Sequence, residues 1–273
     1  MTSFHADWFG YKLPMQKRYC LVRQAGFGGA MLWYGDDWGR AFRRKRQCLR
    51  ARRAGLYIEN VHAPFDEVNN LWEDTPDGAR VLAGYLRCAE DCARFGILTM
   101  VMHPTRGRTP PPISELGLER FGQIVRRAEQ LGVNVAMENL CQAYAIERAA
   151  WLLEQIGSPR FGLCFDAGHF NAQIATEPER DLLARFGHRL MALHLHDNEG
   201  PVLRDLEDDQ HRLPFDGSTD WPRIMRAIAA TGYRGPVSLE VNARPPYYEG
   251  VSPEEFLKRA HERAVKLEGL LHA

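Results

Sequence analysis

Residues 133–138 read Val133-Asn134-Val135-Ala136-Met137-Glu138 and residues 161–166 read Phe161-Gly162-Leu163-Cys164-Phe165-Asp166, with an amphipathic stretch over 146–156 between them. Short runs that are apolar nearly throughout are what strands buried on both faces look like, and parallel sheets covered by helices bury both faces. Leu190-Met191-Ala192-Leu193-His194 repeats the pattern. Each run also ends in a residue able to carry charge, so an apolar strand leads to a polar position at one end.

Outward from this unit, strands are expected at 7–13 (weakly), 29–34, 57–62, 97–103, 133–138, 161–166, 190–194 and 237–241. Helices are expected at 15–25, 40–54, 78–95, 114–131, 146–156, 178–187, 221–231 and 253–271. Pro64 and Pro104 stop regular pairing just past the third and fourth strands. Regular alternation of strand and helix argues for βα units and a parallel sheet. Eight such units in 273 residues match the roughly 250 residues of one closed (β/α)₈ barrel. The expected fold is therefore α/β, a single TIM-barrel domain over 1–273. Thr109-Pro110-Pro111-Pro112 reads as a stiff loop inside a connection, not a boundary.

Composition narrows the function classes. Lys+Arg 35 against Asp+Glu 35 gives zero formal net charge, which does not suggest a nucleic-acid binder, since those usually carry excess positive charge. The six cysteines include no C-x-x-C pair and read as reduced thiols, which points to the cytoplasm. Cys88 and Cys92 are expected as neighbours on one helix face. No apolar run is long enough to span a bilayer, so no membrane role is expected.

The polar strand ends are the informative feature. His62, His103, Glu138, Asp166, His194 and Glu240 end strands three to eight in succession. In a (β/α)₈ barrel these ends converge on one face, where such folds place their chemistry. Concentrating that much charge at the barrel mouth is costly without a cation. Mixed imidazole and carboxylate donors suit Zn²⁺, Mn²⁺, Co²⁺ or Fe²⁺, or Mg²⁺ if water completes its shell. Such an ion can polarise a carbonyl or hydroxyl oxygen or acidify water, which suits proton transfer beside a carbonyl or hydrolysis. No organic cofactor is expected: Gly26-x-Gly28-Gly29 precedes a strand instead of following one, so it is not a dinucleotide fingerprint.

His62-Ala63-Pro64, His103-Pro104, Met137-Glu138-Asn139-Leu140, Asp166-Ala167-Gly168-His169 and His194-Leu195-His196-Asp197 resemble the xylose-isomerase-like barrel superfamily. So do Phe215-Asp216-Gly217-Ser218-Thr219-Asp220-Trp221 and Ser238-Leu239-Glu240-Val241-Asn242. The superfamily includes sugar-phosphate isomerases and epimerases, inosose-processing enzymes and endonuclease IV. The isomerase branch implies one metal held by Glu138, Asp166, His194 and Glu240. It also implies Glu138 and Glu240 as the proton-transferring groups and His169 at the substrate. The endonuclease branch implies three zinc ions on His62, His103, Glu138, Asp166, His169, His194, Asp209, His211 and Glu240, and every matching position here has the right residue type. Two departures stand out. Where the family often has Pro-Gly-x-Gly, this chain has Pro214-Phe215-Asp216-Gly217. An arginine usual in tagatose-type ketose epimerases is missing after His194, where Asp197-Asn198-Glu199-Gly200 stands, with Arg204 or Arg212 as substitutes.

The expected activity is a metal-dependent isomerisation or epimerisation of a small sugar, sugar phosphate or polyol through a metal-stabilised enediolate. Abasic-site DNA hydrolysis is the alternative, and metal and ligand binding without turnover a third reading. His62, His103, His169, Trp33 and Asn139 are the expected substrate contacts, with further ions an option at His62, His103, His169, Asp209 and His211. Asn139 is also placed to orient Glu138. Trp33, Tyr34, Asp36, Asp37, Trp38 and Trp72 are candidates to wall the mouth, against an equal reading as packing. The basic run Arg40–Arg53 reads as a solvated outer helix face sooner than a phosphate patch. Arg106, Arg108, Arg204, Arg212 and Arg244 share the mouth loops with Asp36, Asp37, Glu199, Asp205, Glu207 and Asp208, a mix of signs that suits a neutral small molecule. The loop 198–217 is anchored if Asp209 and His211 bind metal, and otherwise is a lid. Oligomerisation through identical copies is left open.

Overall fold

Eight strands run β1 Thr2–His5, β2 Gly29–Trp33, β3 Tyr57–His62, β4 Thr99–Met102, β5 Asn134–Glu138, β6 Phe161–Asp166, β7 Leu190–His194 and β8 Val237–Leu239 in the computed structural model. It describes all residues except 8, 36–40, 174–179, 202–208, 245 and 273, and the side chains of 41–43 are likewise not described. The strands are all parallel and each pairs with its sequence neighbour, while β1 also pairs with β8. Leu195 pairs with Leu239, which closes the sheet into the expected barrel. The helices α1 Met15–Gln24, α2 Ala41–Arg53, α3 Pro76–Arg94, α4 Glu115–Gln130 and α5 Ala143–Gln155 cover its outside. They are followed by α6 Ala167–Ala172, α7 Leu182–Phe186, α8 Trp221–Ala230 and α9 Pro253–Leu271. No helix among the described residues is long and apolar enough to cross a membrane.

Most boundaries fall within a few residues of expectation, and two elements do not. The first strand lies at Thr2–His5, not at 7–13. The segment after it is instead a connection held by Arg18, whose guanidinium donates to the carbonyls of Asp7, Tyr11 and Leu13. The helix expected over 178–187 is shorter where it is described: α7 begins at Leu182, capped by the Asp181 carboxylate, which accepts from the Ala184 N–H at 2.9 Å, and residues 174–179 lie outside the described set. A short helix, α6, follows β6 directly because the Asp166 carboxylate accepts from the His169 backbone N–H at 2.7 Å and so caps it. That cap orients both Asp166 and His169 toward the mouth.

Asp197 fixes the path of the chain after β7. Fully buried, it accepts from the backbone of Asn198, Phe215 and Thr219, the Thr219 hydroxyl and the Trp221 indole, at 2.7–3.1 Å. Phe215, which stands where the family often has glycine, keeps a left-handed φ of 72° in this turn. Asp197→Ala would strand several buried donors at once, so a loss of about 3–5 kcal/mol is expected. Urea denaturation followed by far-ultraviolet circular dichroism measures it; a loss under 1 kcal/mol (about the worth of one ordinary hydrogen bond) would contradict this role.

Candidate metal centre

The strand ends meet around Glu138, which is almost fully buried at the tip of β5. Its Oε2 lies 3.1 Å from His62 Nε2 and 3.2 Å from His103 Nε2, while Oε1 lies 3.3 Å from His194 Nδ1 and 3.4 Å from His169 Nδ1. Glu240 stands across from it, with Oε2 2.9 Å from His194 Nδ1 and Oε1 3.1 Å from His5 Nδ1. Glu138, Asp166, His194 and Glu240 bring donor atoms within 4.8 Å of one another, as do His62, His103 and Glu138. His169, His196, Asp209 and His211 form a further group by the same measure.

Two observations show that these side chains fit a cation. The first is orientation. The Nδ1 atoms of His62, His169 and His211 contact backbone carbonyls of Ala63, Asn139 and Glu240 at 2.8, 2.9 and 2.8 Å. A Nδ1–H donated to a carbonyl leaves Nε2 as a lone pair aimed into the cluster, the arrangement that fixes metal-binding histidines. The second is dissatisfaction. Asp166 Oδ2, His194 Nδ1, both ring nitrogens of His196 and Asp209 Oδ1 are buried without a hydrogen-bond partner. Buried polar atoms are almost always satisfied, so a concentration of exceptions at one place marks a missing partner. Pairs such as His194 and Glu240 are close without being aligned as hydrogen bonds, as donors are when they converge on a shared point.

The electrostatics agree. Burial alone would raise the Glu138 pKa, but His194 and His103 pull it well below the usual carboxylate range. Glu240 is lowered likewise, burial being outweighed by His194 and His5. Burial would lower His194, yet Cys164, Glu240 and Glu138 lift it well above its ordinary value. His103 moves the other way, since burial dominates over Glu138 there. The carboxylates are thus held ionised, and a cation entering the centre has to compete with imidazole protons.

A cavity of about 430 Å³ opens above this centre. Trp33 and Phe65 form an aromatic wall: their rings meet edge to face at 5.4 Å, and Phe65 stacks on His103 at 4.4 Å. Asp7 and Arg244 line the cavity too, and the Trp33 backbone N–H donates to Asp7 Oδ2 at 2.6 Å. Of the expected contacts, Trp33, His62, His103 and His169 line the cavity. Asn139 does not. Its side-chain amide is taken up by Asp166, donating to the carbonyl at 2.9 Å and accepting from the N–H at 2.8 Å. It therefore aligns β5 with β6 and supports Asp166 and His169, not Glu138 or a substrate. Tyr34 is also packing, its hydroxyl bonded to Asp91, and Trp72 donates to the Pro104 carbonyl beneath the loops. Asp36, Asp37, Trp38, Arg40, Arg204, Asp205, Glu207 and Asp208 lie outside the described residues. Arg106 pairs with Asp66, and Arg212 with Glu199 at 2.9 Å. In the basic run, Arg44 is buried against Asp91 while Lys45, Arg46, Arg52 and Arg53 are exposed on the outer face of α2.

Asp209 and His211 are brought over the mouth. His211 takes a left-handed φ of 50°, an uncommon conformation for a non-glycine residue, and is held by Asp209 Oδ2 at 2.9 Å and the Glu240 carbonyl. Sequence reading missed His5, Asp7, Phe65 and His196. Placing the first strand too late hid His5 and Asp7. His196 was legible in principle, because it stands two residues past His194 and so shares its inward face.

A family model for xylose isomerase-like TIM barrels matches residues 21–264. The chain belongs to this family. Inosose isomerase from Bacillus velezensis is 26% identical over 189 residues, 67% of this chain and 66% of that protein. An uncharacterised protein, y4fM, from Sinorhizobium fredii is 34% identical over 154 residues, 55% of this chain and 46% of its own length. A probable endonuclease 4 from Trichlorobacter lovleyi is 31% identical over 175 residues, 57% of this chain and 58% of that protein. The alignments thus span about half to two-thirds of these relatives' lengths. Among solved structures, D-psicose 3-epimerase from Clostridium cellulolyticum superposes with a TM-score of 0.79 at 16% identity, covering 99% of both chains. An IolI protein with a bound zinc atom gives 0.76 at 18% identity, covering 98% of both. At these identities the superpositions speak to the fold.

Proposed function

We propose that this protein is a divalent-metal-dependent isomerase or epimerase acting on a small sugar, sugar phosphate or polyol-derived ketone. The observation that carries the proposal is the pair of ionised carboxylates, Glu138 and Glu240, facing one cavity with His194 between them. A divalent cation on Glu138, Asp166, His194 and Glu240 would draw electron density from two adjacent substrate oxygens and acidify the C–H beside them. Glu138 or Glu240 then accepts that proton and returns one. A single glutamate working on one face gives isomerisation, and the two working on opposite faces give epimerisation. His62 and His103, packed beside Glu138, hold substrate oxygens, and Trp33 and Phe65 present apolar faces to the carbon skeleton. The inosose isomerase relatives and the zinc found in the IolI protein support this reading.

A second reading, a zinc phosphodiesterase acting on abasic-site DNA, is favoured by one observation. The structure brings all nine residues of the endonuclease pattern into the three donor groups. Against it, the mouth carries Asp7 and Asp209 beside Arg244, a poor surface for a polyanion. The deciding experiment incubates metal-loaded protein with inososes and ketohexoses in D₂O and follows deuterium entry beside the carbonyl by NMR. Incorporation into at least one substrate is expected. Cleavage of abasic-site DNA without any exchange would replace this reading with the second.

A further inference from the structure

Asp7 lies on the cavity wall and has no part in the proton-transfer scheme. It follows His5, the last residue of β1, by two positions. At strand spacing that is up to about 6–7 Å above the layer in which His5 meets Glu240. A group at that height faces substrate atoms away from the carbon held at the Glu138–Glu240 centre.

The two oxygens of Asp7 have different surroundings. Oδ2 accepts from the Trp33 backbone N–H at 2.6 Å. Oδ1 is buried and has no hydrogen-bond partner among the described residues. An ionised carboxylate offers several acceptor sites, so a single bond leaves most of its capacity unmet in a place shielded from water. Burial pushes the Asp7 pKa up, against the opposing pull of the Trp33 N–H, His5 and Arg18. A hydroxyl donated from the cavity would relieve that cost.

The backbone around Asp7 is fixed from both sides. Arg18 holds the carbonyls of Asp7, Tyr11 and Leu13 from α1. Opposite, the Ala243 N–H donates to the Phe9 carbonyl at 3.3 Å. A Cβ on Gly10, which has a φ of 94°, would lie 2.9 Å from Asn242 Oδ1, so the connection is pressed onto the chain leaving β8. A side chain held this way recognises a ligand group with little further ordering.

The same end of the cavity is unsuited to a phosphate. Asp7 repels an anion, and the Trp33 N–H beside it is already taken. Barrels of this kind frequently bind phosphate through the loops after strands seven and eight. Here the Asp197 carboxylate takes up the backbone N–H groups of Asn198, Phe215 and Thr219 in that region. Arg244 is the one arginine on the cavity wall among the described residues, where Asp7, Asp209, Glu138 and Glu240 also lie.

We propose that Asp7 accepts a substrate hydroxyl remote from the reacting carbon, so that the cavity selects a polyhydroxylated ketone with no phosphate at that end. This deepens the isomerase or epimerase reading and rests on it. Asp7 determines specificity and takes no proton from carbon.

The test compares metal-loaded wild type with Asp7→Asn. The asparagine amide oxygen keeps the Trp33 bond, and its NH₂ puts a donor where the acceptor was. Deuterium entry from D₂O is measured on D-fructose, D-tagatose, D-psicose and 2-keto-myo-inositol, on their monodeoxy analogues and on the ketohexose 6-phosphates. In the wild type, one monodeoxy analogue of the best substrate should lose about ten- to a hundredfold in kcat/KM, the worth of a hydrogen bond to a charged group. The phosphate ester should lose at least as much. Asp7→Asn should raise KM for the parent by a similar factor with kcat unchanged, and should exchange that analogue as well as the wild type does.

Equal exchange of the parent and every monodeoxy analogue by the wild type would overturn the subsite without recourse to a variant. So would an unchanged KM in Asp7→Asn, or a loss of the same factor for parent and analogues alike, the mark of a purely structural role. A wild type that prefers the phosphate ester would overturn the selection against phosphate. No exchange by the wild type with any probe would overturn the isomerase or epimerase reading together with the subsite, which separates the two failures.

Discussion

Glu138→Gln is expected to abolish carbon-bound proton exchange, with a loss of at least about 10³-fold, within the range that a positioned acid–base group supplies. The amide is nearly isosteric and keeps one acceptor for His62 and His103, so the barrel should persist. What disappears is the charge that faces four histidines and the basicity needed to take a proton. Glu240→Gln should cost a similar factor if the reaction is an epimerisation. If it is an isomerisation run by Glu138 alone, Glu240→Gln should retain measurable deuterium incorporation from D₂O. Undiminished exchange in Glu138→Gln would remove this residue from the mechanism. Metal content measured on the same samples distinguishes a lost base from a lost ion.

Chelator treatment should have the second largest effect, on stability as well as activity. A ligand present at 100 times its dissociation constant adds about 2.7 kcal/mol to the folded state. For a chain of this size that corresponds to a fall in Tm of roughly 5–10 °C on stripping. The effect should depend on pH with a definite sign. In the metal-free protein Glu138 and Glu240 titrate well below their ordinary value of 4.5, so their contribution is present above that value and is lost as pH falls through the lowered one. His169 and His194 titrate well above 6.5, so theirs is full below 6.5 and is lost as pH rises through the raised value. The stripped centre is therefore most self-sufficient between 4.5 and 6.5. A cation must displace those imidazole protons, so the gap in Tm between loaded and stripped protein should widen from about pH 5.5 to about pH 8. Scanning calorimetry at the two pH values checks this; a gap that narrows with pH would contradict proton competition at these histidines.

The sequence by itself determined the barrel and the identity of the groups at its mouth. Apolar runs such as Val135–Met137, alternating with amphipathic stretches, read as strands buried on both faces, and Glu138 directly after them sits where that strand emerges. The same reasoning placed His62, Asp166 and His194, because strand direction and the rule of one active face leave no other position. Where the apolar signal was short, the reading slipped. Thr2-Ser3-Phe4-His5 has a single large apolar residue, so β1 was placed on the connection after it and His5 was lost to the site.

Only the tertiary structure decided which polar atoms face one another. Asn139 follows Glu138 in sequence, yet its amide turns to the backbone of Asp166, because side chains adjacent on a strand point to opposite faces. Conversely, Asp209 and His211 are far in sequence from His169, and a turn anchored by the buried carboxylate of Asp197 helps return the chain to the mouth. Nothing local reveals that both nitrogens of His196 lack a partner, or that Gly168 is glycine to admit its ring. Periodicity records which face a residue occupies, since backbone geometry fixes that locally. The distances that make a metal centre depend on the closure of all eight strands, and no stretch of sequence contains that closure.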